Sequence, residues 1–96
     1  MEQIEYISVR DELKIPEREL EEEPLDVIVS LRNLASKAGV GFYLHDVMAT
    51  IIRKGEKSAL VRAILMHGIL IEFSLHKIED KEKSEWKLVS ITFYKI

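Results

Sequence analysis

Ninety-six residues allow one domain with one core, and with 47% hydrophobic residues and no cysteine that core is held by packing, without disulfides or thiolate-bound metal. The net charge of −3 is unevenly spread: residues 1–26 hold ten acids against three bases, residues 27–96 seven against eleven. No apolar run approaches the ~18 residues of a membrane span, and the first residues, Met-Glu-Gln-Ile-Glu, lack the basic region of a secretory signal, so a cytoplasmic protein is expected. The abundance of Glu, Lys and Ile, with Gln3 and Asn33 as the only amides, fits a thermophilic origin as well as an ordinary soluble domain.

In chain order, residues 3–9 alternate partly, with Ile4 and Tyr6 on one face, and predict a short strand. Arg10 to Glu23 is highly charged. Ile15-Pro16 permits a turn or two to begin at Pro16, but Glu dominates residues 17–23. Residues 1–23 thus form an acidic arm ahead of a compact body, residues 24–96, and the whole is one domain. Pro24 suits the first turn of a helix, and Glu21, Glu22, Glu23 and Asp26 favour its N-terminal dipole. Leu25, Ile28, Leu31, Arg32 and Ala35 follow helical spacing and Gly39 stops it, so a helix is expected over 24–38.

A second helix is expected over 43–54, because Leu44, Val47, Met48, Ile51 and Ile52 make an amphipathic stripe before Gly55. Residues 58–66 read two ways. As a helix, Ser58 caps it and Gly68 ends it; as a strand, it enters a hairpin through His67-Gly68, two residues that tolerate positive φ. The strand is preferred. Ile69, Ile71, Phe73 and Leu75 then alternate with Leu70, Glu72, Ser74 and His76, a half-buried strand. A polar loop, 79–85, leads to a last strand over 86–95, where Val89, Ile91 and Phe93 alternate with Leu88, Ser90, Thr92 and Tyr94.

The expected fold is α+β: two helices packed on a small antiparallel sheet, a C-terminal β-meander to which the N-terminal strand can add. Ile51 and Phe73 are both read as core. The alternative is a winged helix, three helices followed by a two-stranded wing, and residues 58–66 separate the two.

Chemistry-bearing patterns are sparse. His45, His67 and His76 have no metal-ligand spacing. Glu72, Ser74 and His76 share a face only as alternate residues of any strand do. No nucleophile elbow, phosphate loop or dinucleotide fingerprint occurs, and no cofactor is expected. Arg53, Lys54, Lys57 and Arg62 are the one local basic cluster; with Lys81 and Lys83 on a wing they would be the DNA contacts of the winged-helix alternative. Trp86 and Leu88 are expected on the same side as Ser90, Thr92 and Tyr94, away from the core. An uncharged last strand at the edge of a meander needs cover. These residues are therefore the candidate protein interface, with a second copy or another protein as the partner. The favoured function is a non-enzymatic accessory or regulatory domain acting by protein contact, as a homodimer. The alternatives are a winged-helix DNA-binding regulator and a cone-shaped α+β domain, enzymatic or ligand-binding, with a pocket lined by Met48, Phe73 and Trp86.

Overall fold

A computed structural model describes residues 1–96 and places 51% of them in strands. The strands are β1 (Glu2–Ser8), β2 (Lys14–Pro16), β3 (Val47–Lys54), β4 (Ser58–Leu65), β5 (Ile69–Glu79) and β6 (Ser84–Lys95), with a single α-helix, α1 (Pro24–Ser36), between β2 and β3. All six belong to one antiparallel sheet ordered β1-β6-β5-β4-β3, with β2 also paired to β6. Helix α1 and the 3-10 turn Glu17–Glu21 pack on one face; the other face carries no second layer.

The expectation of two helices on a small sheet is corrected here, and so is the winged-helix alternative: three helices do not exist. The residues read as a helix over 43–54 form a 3-10 turn, Leu44–Asp46, followed by β3. The i, i+3, i+4 spacing of the apolar residues there is helical, but Val47, Thr50, Ile51 and Ile52 are β-branched, which favours the pleated surface. The decision is tertiary. β4 offers a full ladder of partners, from Lys54 opposite Ala59 to Val47 opposite Leu65. Gly55, expected as a helix stop, instead opens the β3–β4 turn by donating its N–H to the Ser58 carbonyl at 2.8 Å.

Other local signals hold. α1 begins at Pro24 in the first turn and ends before Gly39, whose φ of +81° needs a residue without Cβ. Its buried face is Val27, Ile28, Leu31, Leu34 and Ala35, so Ile28, Leu31 and Ala35 of the expected stripe face the core, whereas Leu25 in the first turn stays exposed. Residues 58–65 are a strand, and the His67-Gly68 hairpin runs through positive φ at both residues, 67° and 75°. That is the mirror-image turn whose twist matches paired strands.

Residues 1–23 do not project as an arm. β1 and β2 lie end to end along β6, with Ile7 opposite Ile91 and Ile15 opposite Trp86. Leu20, in the Glu-rich turn, is buried against the core. The acids therefore solvate a covering element whose apolar residues, Val9, Ile15 and Leu20, face inward. Glu17 ties this element down: Lys77 of β5 donates to its carboxylate at 2.8 Å and lies 5.9 Å from the centre of the Trp86 ring. Between α1 and the sheet lies one core of nineteen residues, centred on the row Val61, Phe73 and Ile91.

Candidate protein interface

Because opposite residues on paired strands point to the same face, the register lays out the uncovered face row by row. One row runs Tyr6, Thr92, Glu72, Arg62, Ile51. The next toward the His67 end runs Gln3, Tyr94, Leu70, Ile64, Ala49. On the opposite side lie Ser8, Ser90, Ser74, Leu60 and Arg53, and beyond them Lys14, Lys87, His76 and Ser58.

The face is graded. At the His67 end it is apolar, and Leu70 is buried there although no layer covers it, shielded on its two sides by Ile64 and Tyr94. In the middle Ser90 and Thr92 form a floor of small side chains, 6% and 4% exposed. Arg62 crosses from β4 to β5 and donates to Glu72 at 2.7 Å, with the Glu72 side chain 13% exposed. Truncating Arg62 would leave a shielded carboxylate without its partner, so the pair organises this face. At the far end Glu12 bridges Lys87 at 3.1 Å and Lys14 at 3.6 Å. The bond from Lys87 holds the Glu12 carboxyl below its ordinary range, and Lys14 adds to the effect.

Of the five residues expected at an interface, Ser90, Thr92 and Tyr94 lie on the uncovered face, but Trp86 and Leu88 lie under the helix layer, 1% and 0% exposed. The reason is a β-bulge. Ser90 pairs with Ser74 but Leu88 pairs with Leu75, so Val89 is an extra residue in β6 and the alternation changes parity there. Trp86 and Leu88 thus join Ile91 and Phe93 on the core side. The indole Nε1 of Trp86 is buried without a hydrogen-bond partner. Strand β6 is also not an edge, being flanked by β5 on one side and by β1 and β2 on the other. The edge opposite β1 is β3.

The basic residues do not gather into one surface. Arg53 lies on the uncovered face, Lys54 turns to the other side and contacts Glu21 at 3.3 Å, and Arg62 is committed to Glu72. Lys57 sits in the β3–β4 turn next to Glu56. Lys81 and Lys83 sit in the β5–β6 turn among Asp80, Glu82 and Glu85. The three histidines stay apart: His45 stacks on Tyr43 at 5.3 Å, His67 is in its turn and His76 is on the uncovered face. No three His, Asp or Glu side chains converge as a metal set.

Met48, Phe73 and Trp86 share no pocket, since Phe73 and Trp86 are core and Met48 is exposed at the rim of β3. The depressions that exist are shallow, the largest about 350 Å³ and lined by Asp80, Lys81, Glu82, Lys83 and Glu85. The surfaces that sequence reasoning missed are Leu60 and Ile64 of β4 and Met48 and Ile51 of β3. The strand period places Leu60, Arg62 and Ile64 on one face once 58–65 is read as a strand, whereas 47–54 carry no such pattern and their apolar residues follow helical spacing. Comparison with family models, with curated proteins and with solved structures finds no match.

Proposed function

We propose that this protein is a non-enzymatic accessory or regulatory domain that works by protein–protein contact, with the uncovered face of its sheet and the adjoining β3 edge as the contact surface. A second copy of the chain is the first partner in this reading, and a cytoplasmic location belongs to it. The observation that supports it most is the apolar sector Ile51, Ile64 and Tyr94, which surrounds the buried Leu70. An antiparallel sheet with one face in water normally alternates to polar residues there, and contiguous apolar surface of this kind marks contact sites. The polar middle, with the Arg62–Glu72 pair and the serine and threonine floor, supplies the directional groups that ring such a patch.

Immobilised wild-type chain and its Ile64→Glu and Leu60→Glu variants, exposed to extract of the cells from which the gene comes, test the proposal. Both positions are half-buried on the uncovered face, outside the core beneath α1, and thermal unfolding followed by Trp86 fluorescence checks that each variant is folded. Partners, or further copies of the chain, held by the wild type and released by either variant are the expected result. Equal retention by all three chains, or none by any, removes the reading.

A further inference from the structure

The two edges of the sheet differ in how they are guarded. The β1/β2 edge carries Glu2 and Glu5, is irregular between Gln3 and Glu5, is interrupted over residues 9–13 and ends at Pro16. Those are the devices by which edges resist pairing. β3 has no acid and no proline; its cations, Arg53 and Lys54, are at one end, and its one irregularity, between Val47 and Ala49, is at the other. Its middle, Ala49-Thr50-Ile51-Ile52, is uncharged, with Ile51 41% and the neighbouring Met48 71% exposed.

The direction of its free backbone groups follows from the turn. Gly55 donates to Ser58, and alternation along an antiparallel pair then aims the backbone groups of Arg53 and Ile51 at β4 and those of Lys54, Ile52 and Thr50 outward. The geometry points to β3 as a self-pairing seam, on which a second copy of this chain adds its own β3 antiparallel across a two-fold axis at Ile51. The inference rests on the protein-contact reading above and names its partner.

Three features select a second copy. Each chain offers one unguarded edge, and an isologous pairing uses both and closes, leaving only the two guarded β1/β2 edges at its ends. With the axis at Ile51, Thr50 of one chain faces Ile52 of its partner as a hydrogen-bonded pair, and each such pair exchanges both its bonds. The charges also agree: Arg53 faces the partner's Ala49, and Lys54 faces the partner's Met48. The two Arg53 side chains lie about 13 Å apart along the strands, four residues at ~3.3 Å each. The helix layers of both copies then lie on one side, and the apolar sectors bearing Ile51 and Ile64 become continuous on the other.

The absence of cysteine makes a direct test possible. Two Ile51 residues at the axis form a non-hydrogen-bonded pair, whose Cα atoms are ~4.5 Å apart, within the span of a disulfide. Ile51→Cys is therefore expected to cross-link to its own copy under mild oxidation, at least about tenfold faster than Arg53→Cys, whose copies are out of reach. In sedimentation from micromolar to submillimolar concentration, the wild type is expected to pass from monomer to dimer. Ile51→Lys, which sets two ammonium groups against each other at the axis, is expected to weaken that association about tenfold or more, with the unfolding temperature unchanged in dilute solution, where both chains are monomeric. A wild type that stays monomeric throughout overturns the self-paired seam, as does equal cross-linking at positions 51 and 53. A monomer that still captures a partner lost in Ile64→Glu keeps the protein-contact reading while the seam falls.

Discussion

Phe73→Ala and Ile51→Ala should have very different effects, although the sequence pattern reads both residues as core. Phe73 is fully buried in the middle of β5, between Val61 on β4 and Ile91 on β6, with the Phe42 ring 6.2 Å away. Its lateral neighbours are fixed by sheet hydrogen bonds, so the space left by the ring cannot close, and the cost should lie at the upper part of the ~3–5 kcal/mol range for Phe→Ala. Loss of the contact with Phe42 is part of that figure, about 0.5–1.5 kcal/mol. A domain of this size has ~5–15 kcal/mol in total, and each kcal/mol moves its midpoint about 4–8 °C. A fall of about 15–40 °C is therefore expected. Ile51, on the uncovered face of the edge strand, should cost under about 1 kcal/mol in dilute solution. Urea unfolding followed by Trp86 fluorescence separates the two, and unchanged m-values would show that the denatured state is not the cause. Equal costs, or a Phe73→Ala loss below about 1 kcal/mol, would refute the assignment of faces.

Gly68→Ala should cost about 1 kcal/mol or more, because φ is +75° there. The added Cβ meets nothing closer than the Ile96 carbonyl oxygen at 3.8 Å, so the loss is backbone strain alone, and Gly68→Asn should recover part of it in the same urea assay. The bond from Lys77 holds the Glu17 carboxyl below its ordinary 4.5, and the same bond holds the Lys77 ammonium above 10.5. The Glu17 contribution is then complete above pH 4.5 and is lost as pH falls through the lowered native value. The Lys77 contribution is complete below pH 10.5 and is lost as pH rises through the raised one. Lys77→Met should flatten both limbs of midpoint against pH, and an unaltered profile would remove the pair from the account. Trp86 emission should be blue-shifted and inaccessible to iodide until the chain unfolds, since its ring is buried and its Nε1 unpartnered. Quenching in the native state would place the indole on the wrong face of β6.

Signals carried by neighbouring residues were legible. Pro24 and Gly39 delimit α1, His67-Gly68 makes the hairpin, and alternation over 69–75 states both the strand and its buried face, because each depends on a few residues' own φ preferences or on one period. Three decisions were tertiary. Residues 47–54 carry a helical stripe and no strand alternation, and the ladder offered by β4 overrode that local pattern. Val89 is an ordinary strand residue by type, yet as the bulge it reverses which side Trp86 and Leu88 face, a matter of register with β5 that no local pattern encodes. That β6 is interior and β3 the edge follows from where residues 1–16 return to pair, about eighty residues away in the chain. The candidate surface was therefore only partly legible: Ser90, Thr92 and Tyr94 could be read from alternation, while Ile51, Ile64 and the open β3 edge exist only once the strand order is known.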